Sequence, residues 1–71
     1  MIKGQKVKCV VSSGSDLTDG KIYTILAGVG DVDYVCGGTV EYGGFIICDD
    51  DGDDIYCCYP KCLFGRWQLV E

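Results

Sequence analysis

Phe45-Ile46-Ile47-Cys48-Asp49-Asp50-Asp51-Gly52-Asp53-Asp54-Ile55-Tyr56-Cys57-Cys58-Tyr59 is the stretch that decides the fold. Two short apolar runs, rich in β-branched and aromatic residues, flank an acidic turn. Asp-Gly between such runs is a strong short-range hairpin signal, because glycine reaches positive φ without steric cost. Each run is too short for a helix and suits a strand. Phe45–Cys48 is apolar without alternation, as expected of a strand covered on both faces. The adjacent bulky residues of Tyr56–Tyr59 also place large groups on both faces. Their cover must come from elsewhere in the chain or from a second copy, so a homodimer is one expectation.

Working outward, residues 5–11 alternate, with Val7, Cys9 and Val11 on one side and Lys6 and Lys8 on the other, as in a half-buried strand. A polar loop from Ser12 to Gly20 follows, with Leu17 as its apolar plug. Residues 21–27 read as a second strand with Tyr23 and Ile25 inward. Val32–Cys36 and Thr39–Tyr42 are shorter extended pieces inside a glycine-rich excursion at about 28–44, bounded by Gly37-Gly38 and Gly43-Gly44. Downstream, Pro60 cannot donate to a ladder, so Pro60–Phe64 is expected to form a 3₁₀ turn before a closing strand at Trp67–Val70. The expected fold class is therefore all-β: a small barrel of five to six short strands with a 3₁₀ turn before the last. Residues 1–71 form a single domain with a radius of gyration of about 11 Å.

Composition limits function. The chain has 71 residues, net charge −5, 11 acidic and 6 basic side chains, six cysteines and no histidine. Such a length excludes a two-domain enzyme, and the missing histidine removes the commonest general base and the commonest metal-binding nitrogen. The expectation is a protein without enzymatic activity or cofactor. Met1–Lys6 is followed by no signal-like apolar run, and no window approaches the ~20 apolar residues of a membrane span. The expected location is the cytoplasm, where cysteines stay reduced. Cys9, Cys36, Cys48, Cys57, Cys58 and Cys62 are then first read as small hydrophobes. A zinc site or a disulfide within Cys57, Cys58 and Cys62 remains the alternative, and Cys62 beside Lys61 is a candidate reactive thiol.

Lys3-Gly4-Gln5-Lys6-Val7-Lys8-Cys9-Val10, the polar loop ending Asp19-Gly20-Lys21-Ile22-Tyr23-Thr24-Ile25, and the strand, turn and strand from Ile55 onward resemble the corresponding parts of SH3-like barrels. With the Asp49–Asp54 hairpin and Pro60-Lys61-Cys62-Leu63-Phe64, the order resembles that of small uncharacterised bacteriophage proteins with this fold. The resemblance implies a phage or mobile-element origin and a host cytoplasmic location. It does not carry over proline-rich peptide binding, because Val7–Ser12 lacks the aromatic residues of that motif.

The acidic run is the main functional candidate. Aligning Gly52 with the glycine of a calcium-binding EF-hand puts Ile47 and Cys58 where oxygen ligands belong, so that pattern fails. No Lys or Arg lies between Ile22 and Pro60, whereas Asp31, Asp33, Glu41, Asp49, Asp50, Asp51, Asp53 and Asp54 all do. One acidic face follows, which disfavours direct nucleic-acid binding and suits a basic protein partner. The expected function is a protein-binding module that engages a host or phage protein, as a possible inhibitor of a host or defence function. Its expected contact residues are Asp49, Asp50, Asp51, Asp53, Asp54 and Tyr56. The alternatives are a self-associating accessory protein and a small metal- or ligand-binding protein.

Overall fold

β1 (Lys6–Ser12) follows the expected alternation at first: Val7 and Cys9 are fully buried while Lys6 and Lys8 face solvent. The alternation then breaks. In the computed structural model, which describes residues 1–13, 16–35 and 37–70, the register of β1 against the last strand shifts between Cys9 and Val11. This β-bulge accommodates Val10 as an extra residue and turns Val11 outward, where it is 42% exposed. Val11 is therefore not a core residue.

β1 is central to a four-stranded antiparallel sheet whose strands run in the order β2 (Ile22–Thr24), β1, β8 (Gly65–Val70) and β7 (Lys61–Cys62). β2 (Ile22–Thr24) buries Tyr23 and pairs with β1. It is shorter than the expected 21–27 strand because the chain changes partner. Ile25 still donates its N–H to Gln5 (2.8 Å), whereas Leu26 donates to Ile46 and Ile46 donates to Ala27. This bridge links the large sheet to the two-stranded sheet of β5 (Gly44–Cys48) and β6 (Asp54–Cys58). One bridge is not a continuous ladder, so the sheets do not close into a barrel.

The excursion forms a small hairpin of β3 (Val32–Asp33) and β4 (Gly38–Thr39), shorter than the two expected strands. Cys36, at the end of the first expected strand, lies outside the described residues. The expected 3₁₀ turn is replaced by a tight hairpin in which β7 (Lys61–Cys62) pairs with β8 (Gly65–Val70). Gly65, at φ 150°, allows this reversal. Pro60 sits just outside the ladder, where its carbonyl accepts from Trp67 N–H (2.7 Å) and its missing donor costs nothing. The described residues thus form eight strands in three sheets with no helix.

β5 separates two clusters. Phe45 and Ile47 face the main core of Val7, Cys9, Leu17, Tyr23, Ile25, Cys57 and Trp67. Ile46 faces the other way, against Ala27 and Val40, with Val35 and Tyr56 packed alongside. The excursion therefore supplies the second cover that the unalternating run of β5 requires. In the main core, Phe45 and Tyr23 both meet Trp67 edge-on, with centroids 5.3 and 6.1 Å apart. Such edge-to-face pairs contribute about 0.5–1.5 kcal/mol beyond burial. The Cα radius of gyration is 10.7 Å.

Candidate functional site

The β5–β6 ladder ends at the Cys48–Asp54 pair, and the acidic turn between them is tightly ordered. Asp49 organises it. Its N–H donates to the Asp53 carbonyl (2.8 Å), and its Oδ1 accepts from the N–H groups of Asp51 (3.0 Å) and Asp53 (2.8 Å). Gly52 takes the positive φ, at 90°. Asp49 thus holds the turn through a side-chain-to-backbone motif characteristic of aspartate.

Asp50 faces inward along the surface. Its N–H donates to the Asp16 carbonyl (2.8 Å), and its carboxylate accepts from Thr18 Oγ1 (2.5 Å), Lys21 Nζ (2.5 Å) and Tyr23 Oη (3.0 Å). Tyr23 Oη in turn accepts from Thr18 N–H (2.9 Å), and Lys21 Nζ lies 5.1 Å from the Tyr23 ring centre. The Lys21 ammonium, followed by the Thr18 hydroxyl, holds the Asp50 carboxyl down to about 2. Burial is the leading cause that pushes the Tyr23 phenol up. These contacts fasten the polar loop and β2 to the hairpin tip.

Asp51 and Asp53 are exposed on the same tip, and Asp54 is half-buried at the end of the ladder. Asp16 joins them from the polar loop. Its carboxyl is raised above the ordinary range, chiefly by Asp51, with smaller contributions from desolvation and from Asp49, Asp53 and Asp50. Four carboxylates therefore act on a fifth, a concentration of like charge that extends the run seen in the sequence. Among the described residues one ion pair forms, Lys21–Asp50.

Tyr56 does not join this group. It pairs with Ile46 on the second cluster, and its Oη accepts from Glu41 N–H (3.4 Å). With Val35, Thr39 and Glu41 it lines an open cavity of about 380 Å³.

The cysteines divide by strand geometry. Consecutive residues point to opposite faces, so Cys57 is fully buried and Cys58 is exposed. Cys62 on β7 packs against the main core near Cys57. Cys9, Cys48, Cys57, Cys58 and Cys62 are free thiols. Among the described residues, no three Cys, Asp or Glu side chains are arranged to hold a metal ion, and no helix is long and apolar enough to cross a membrane.

The sequence reading missed Asp16 and the partners of Asp50. Asp16 could have been found as the one acid in the polar loop before Leu17, had the loop been known to meet the hairpin. Protein-family models, curated proteins and solved structures were all compared with the chain, and none matches.

Proposed function

We infer that this chain is a non-enzymatic protein-binding module of phage or mobile-element origin, acting in the host cytoplasm, that engages a basic surface of a host or phage protein. The SH3-like plan belongs to the same reading: its support is the last strand returning beside the first, with a hairpin between them. The observation that carries the function is the docking of the polar loop on the hairpin tip, where the Asp50 N–H donates to the Asp16 carbonyl (2.8 Å) and brings exposed Asp16 to the tip that carries exposed Asp51 and Asp53, concentrating negative charge there. A cationic partner would relieve that repulsion, and such a field speeds encounter with it. Asp51, Asp53 and Asp16 are the contact residues of this reading. Asp50 and Asp49 hold the tip in shape, and Tyr56 serves a separate cavity.

The test is capture from host lysate at low and high salt, with wild-type protein beside an Asp16→Asn, Asp51→Asn, Asp53→Asn variant. One captured protein lost both in high salt and with the variant supports the reading. Equal capture by both forms refutes it.

A second reading, self-association, has an observation of its own. Met1, Val29, Tyr42, Tyr59, Pro60 and Leu69 line a mostly apolar groove of about 420 Å³, and Tyr42 is 91% exposed beside it. Contiguous exposed apolar surface of this kind marks interaction sites. Sedimentation as a monomer at high micromolar concentration would remove this second reading.

A further inference from the structure

Cys57 and Cys62 lie either side of the Tyr59–Pro60 turn, on β6 and β7. Cys57 is 0% exposed in the main core, while Cys62 is half-buried at its edge, where a small solute can reach it. Cys62 packs against the core cluster that contains Cys57, and β6 and β7 lie in contact. Around the Cys62 sulfur, the backbone amides of Cys58, Phe64 and Gly65 and the indole of Trp67 all favour negative charge. Trp67 is 4% exposed, and its Nε1–H is a buried donor that makes no regular hydrogen bond. A buried donor left without an acceptor is destabilising. An anionic sulfur, or an oxygen added to it, would supply that acceptor.

We propose that Cys57 and Cys62 form a redox-active dithiol, in which Cys62 attacks a hydroperoxide and Cys57 resolves the product to an intramolecular disulfide. In the first step the Cys62 thiolate attacks one peroxide oxygen. The S–O bond forms, the O–O bond breaks, and the leaving oxygen takes a proton from water to depart as alcohol or water. The sulfur is oxidised by two electrons to sulfenic acid and the peroxide is reduced. In the second step Cys57 Sγ attacks Cys62 Sγ. The S–S bond forms, the S–O bond breaks, and hydroxide leaves as water with the Cys57 proton. An external thiol returns the pair to the reduced form.

The division of labour follows from the environments. Burial is the largest influence on both thiols and pushes both up. At Cys57 nothing offsets it, and the neighbouring Cys62 raises that thiol further. At Cys62 the amides and indole outweigh burial and leave the thiol below its ordinary value. Cys62 therefore carries more thiolate, the attacking species, while Cys57 keeps its proton until the second step.

The test treats the full chain with limiting hydrogen peroxide at neutral pH, followed by intact mass and peptide mapping. The expected product is a loss of about 2 Da, mapped to a Cys57–Cys62 cross-link. Cys57→Ser should stop at a dimedone-trappable sulfenic acid on Cys62. Cys62→Ser should form no cross-link and react no faster than its exposed thiols. Because core variants can lose the fold, a Cys48→Ser, Cys58→Ser variant, altered only at exposed positions, is treated in parallel. It should still cross-link, with a change in Trp67 emission, and in wild type Cys62 should take up iodoacetamide several-fold faster than Cys48 or Cys58. Preferential reaction at Cys48 or Cys58, or an unoxidised Cys57–Cys62 pair in the doubly substituted protein, overturns the proposal.

Discussion

Replacing Gly65 by alanine should damage this fold far more than the same change at Gly52. Both glycines have positive φ, 150° and 90°. Their surroundings differ. A Cβ on Gly52 would meet nothing within 4 Å, whereas one on Gly65 would collide with the Val11 carbonyl oxygen and crowd Val11 C at 3.2 Å and Ser12 Cα at 3.4 Å. Those atoms are backbone of β1, pinned by pairing with β8, and cannot swing aside as a flexible side chain would. Gly52→Ala should therefore cost only the conformational strain of an L-residue, about 1 kcal/mol. Gly65→Ala adds to strain of about 1–3 kcal/mol an overpacking cost of similar size. A domain of 71 residues has roughly 4–11 kcal/mol of total stability, so the change removes a large share of it. The assay is thermal unfolding followed by emission of Trp67, the sole tryptophan. The Gly52 variant should lose about 4–8 °C in thermal midpoint and the Gly65 variant at least twice that. If Gly65→Ala proved no worse than Gly52→Ala, the close β1–β8 approach at the bulge would not be as described.

Three further outcomes are expected. The Asp50 carboxyl is lowered in the folded protein to about 2, from an ordinary 3.8, so its stabilising contribution is present above the ordinary value and lost as pH falls through the folded one. Asp50→Asn should lower the urea midpoint at pH 6 and flatten its decline between about pH 4 and pH 2. Asp16 has the opposite sign: its raised carboxyl opposes folding once ionised, so Asp16→Asn should raise the midpoint at pH 7 in low salt, by an amount that shrinks in high salt. Phe45→Ala removes a fully buried ring and its edge contact with Trp67, and should cost about 3–5 kcal/mol, enough to leave much of the chain unfolded in a thermal scan.

The β5–β6 hairpin was legible because its signal is local: Asp51-Gly52 between two apolar runs specifies a turn with no help from the rest of the chain. Tyr23, Ile25 and Leu17 were legible as core for the same reason, and they are 5%, 1% and 7% exposed. Val11 was misplaced because one extra residue at Val10, marked by neither Gly nor Pro, inverts the alternation after it. Barrel closure was misjudged because the partner exchange at Leu26 depends on where Ile46 arrives, some twenty residues later in sequence. The acidic run was legible as a charge concentration, yet not as two roles. Asp50 is defined by Thr18, Lys21 and Tyr23, and no pattern within 49–54 announces contacts so distant. The environment of Cys62 is similarly hidden, because it arises from the directions of backbone amides that composition does not encode.

The pairing of Lys6 with Val70 and of Cys9 with Trp67 makes the largest sheet depend on the two ends of the described chain. During synthesis β1 emerges early and can find β2, yet its other edge has no strand to pair with until β8 has been made. Until then that edge offers open hydrogen-bonding groups to any neighbouring chain. Tyr23 and Phe45 likewise lack the indole they pack against until Trp67 arrives. A ribosome-bound fragment ending before Gly65 should thus remain protease-sensitive throughout, and the structure should lock in a single late event rather than accumulate strand by strand.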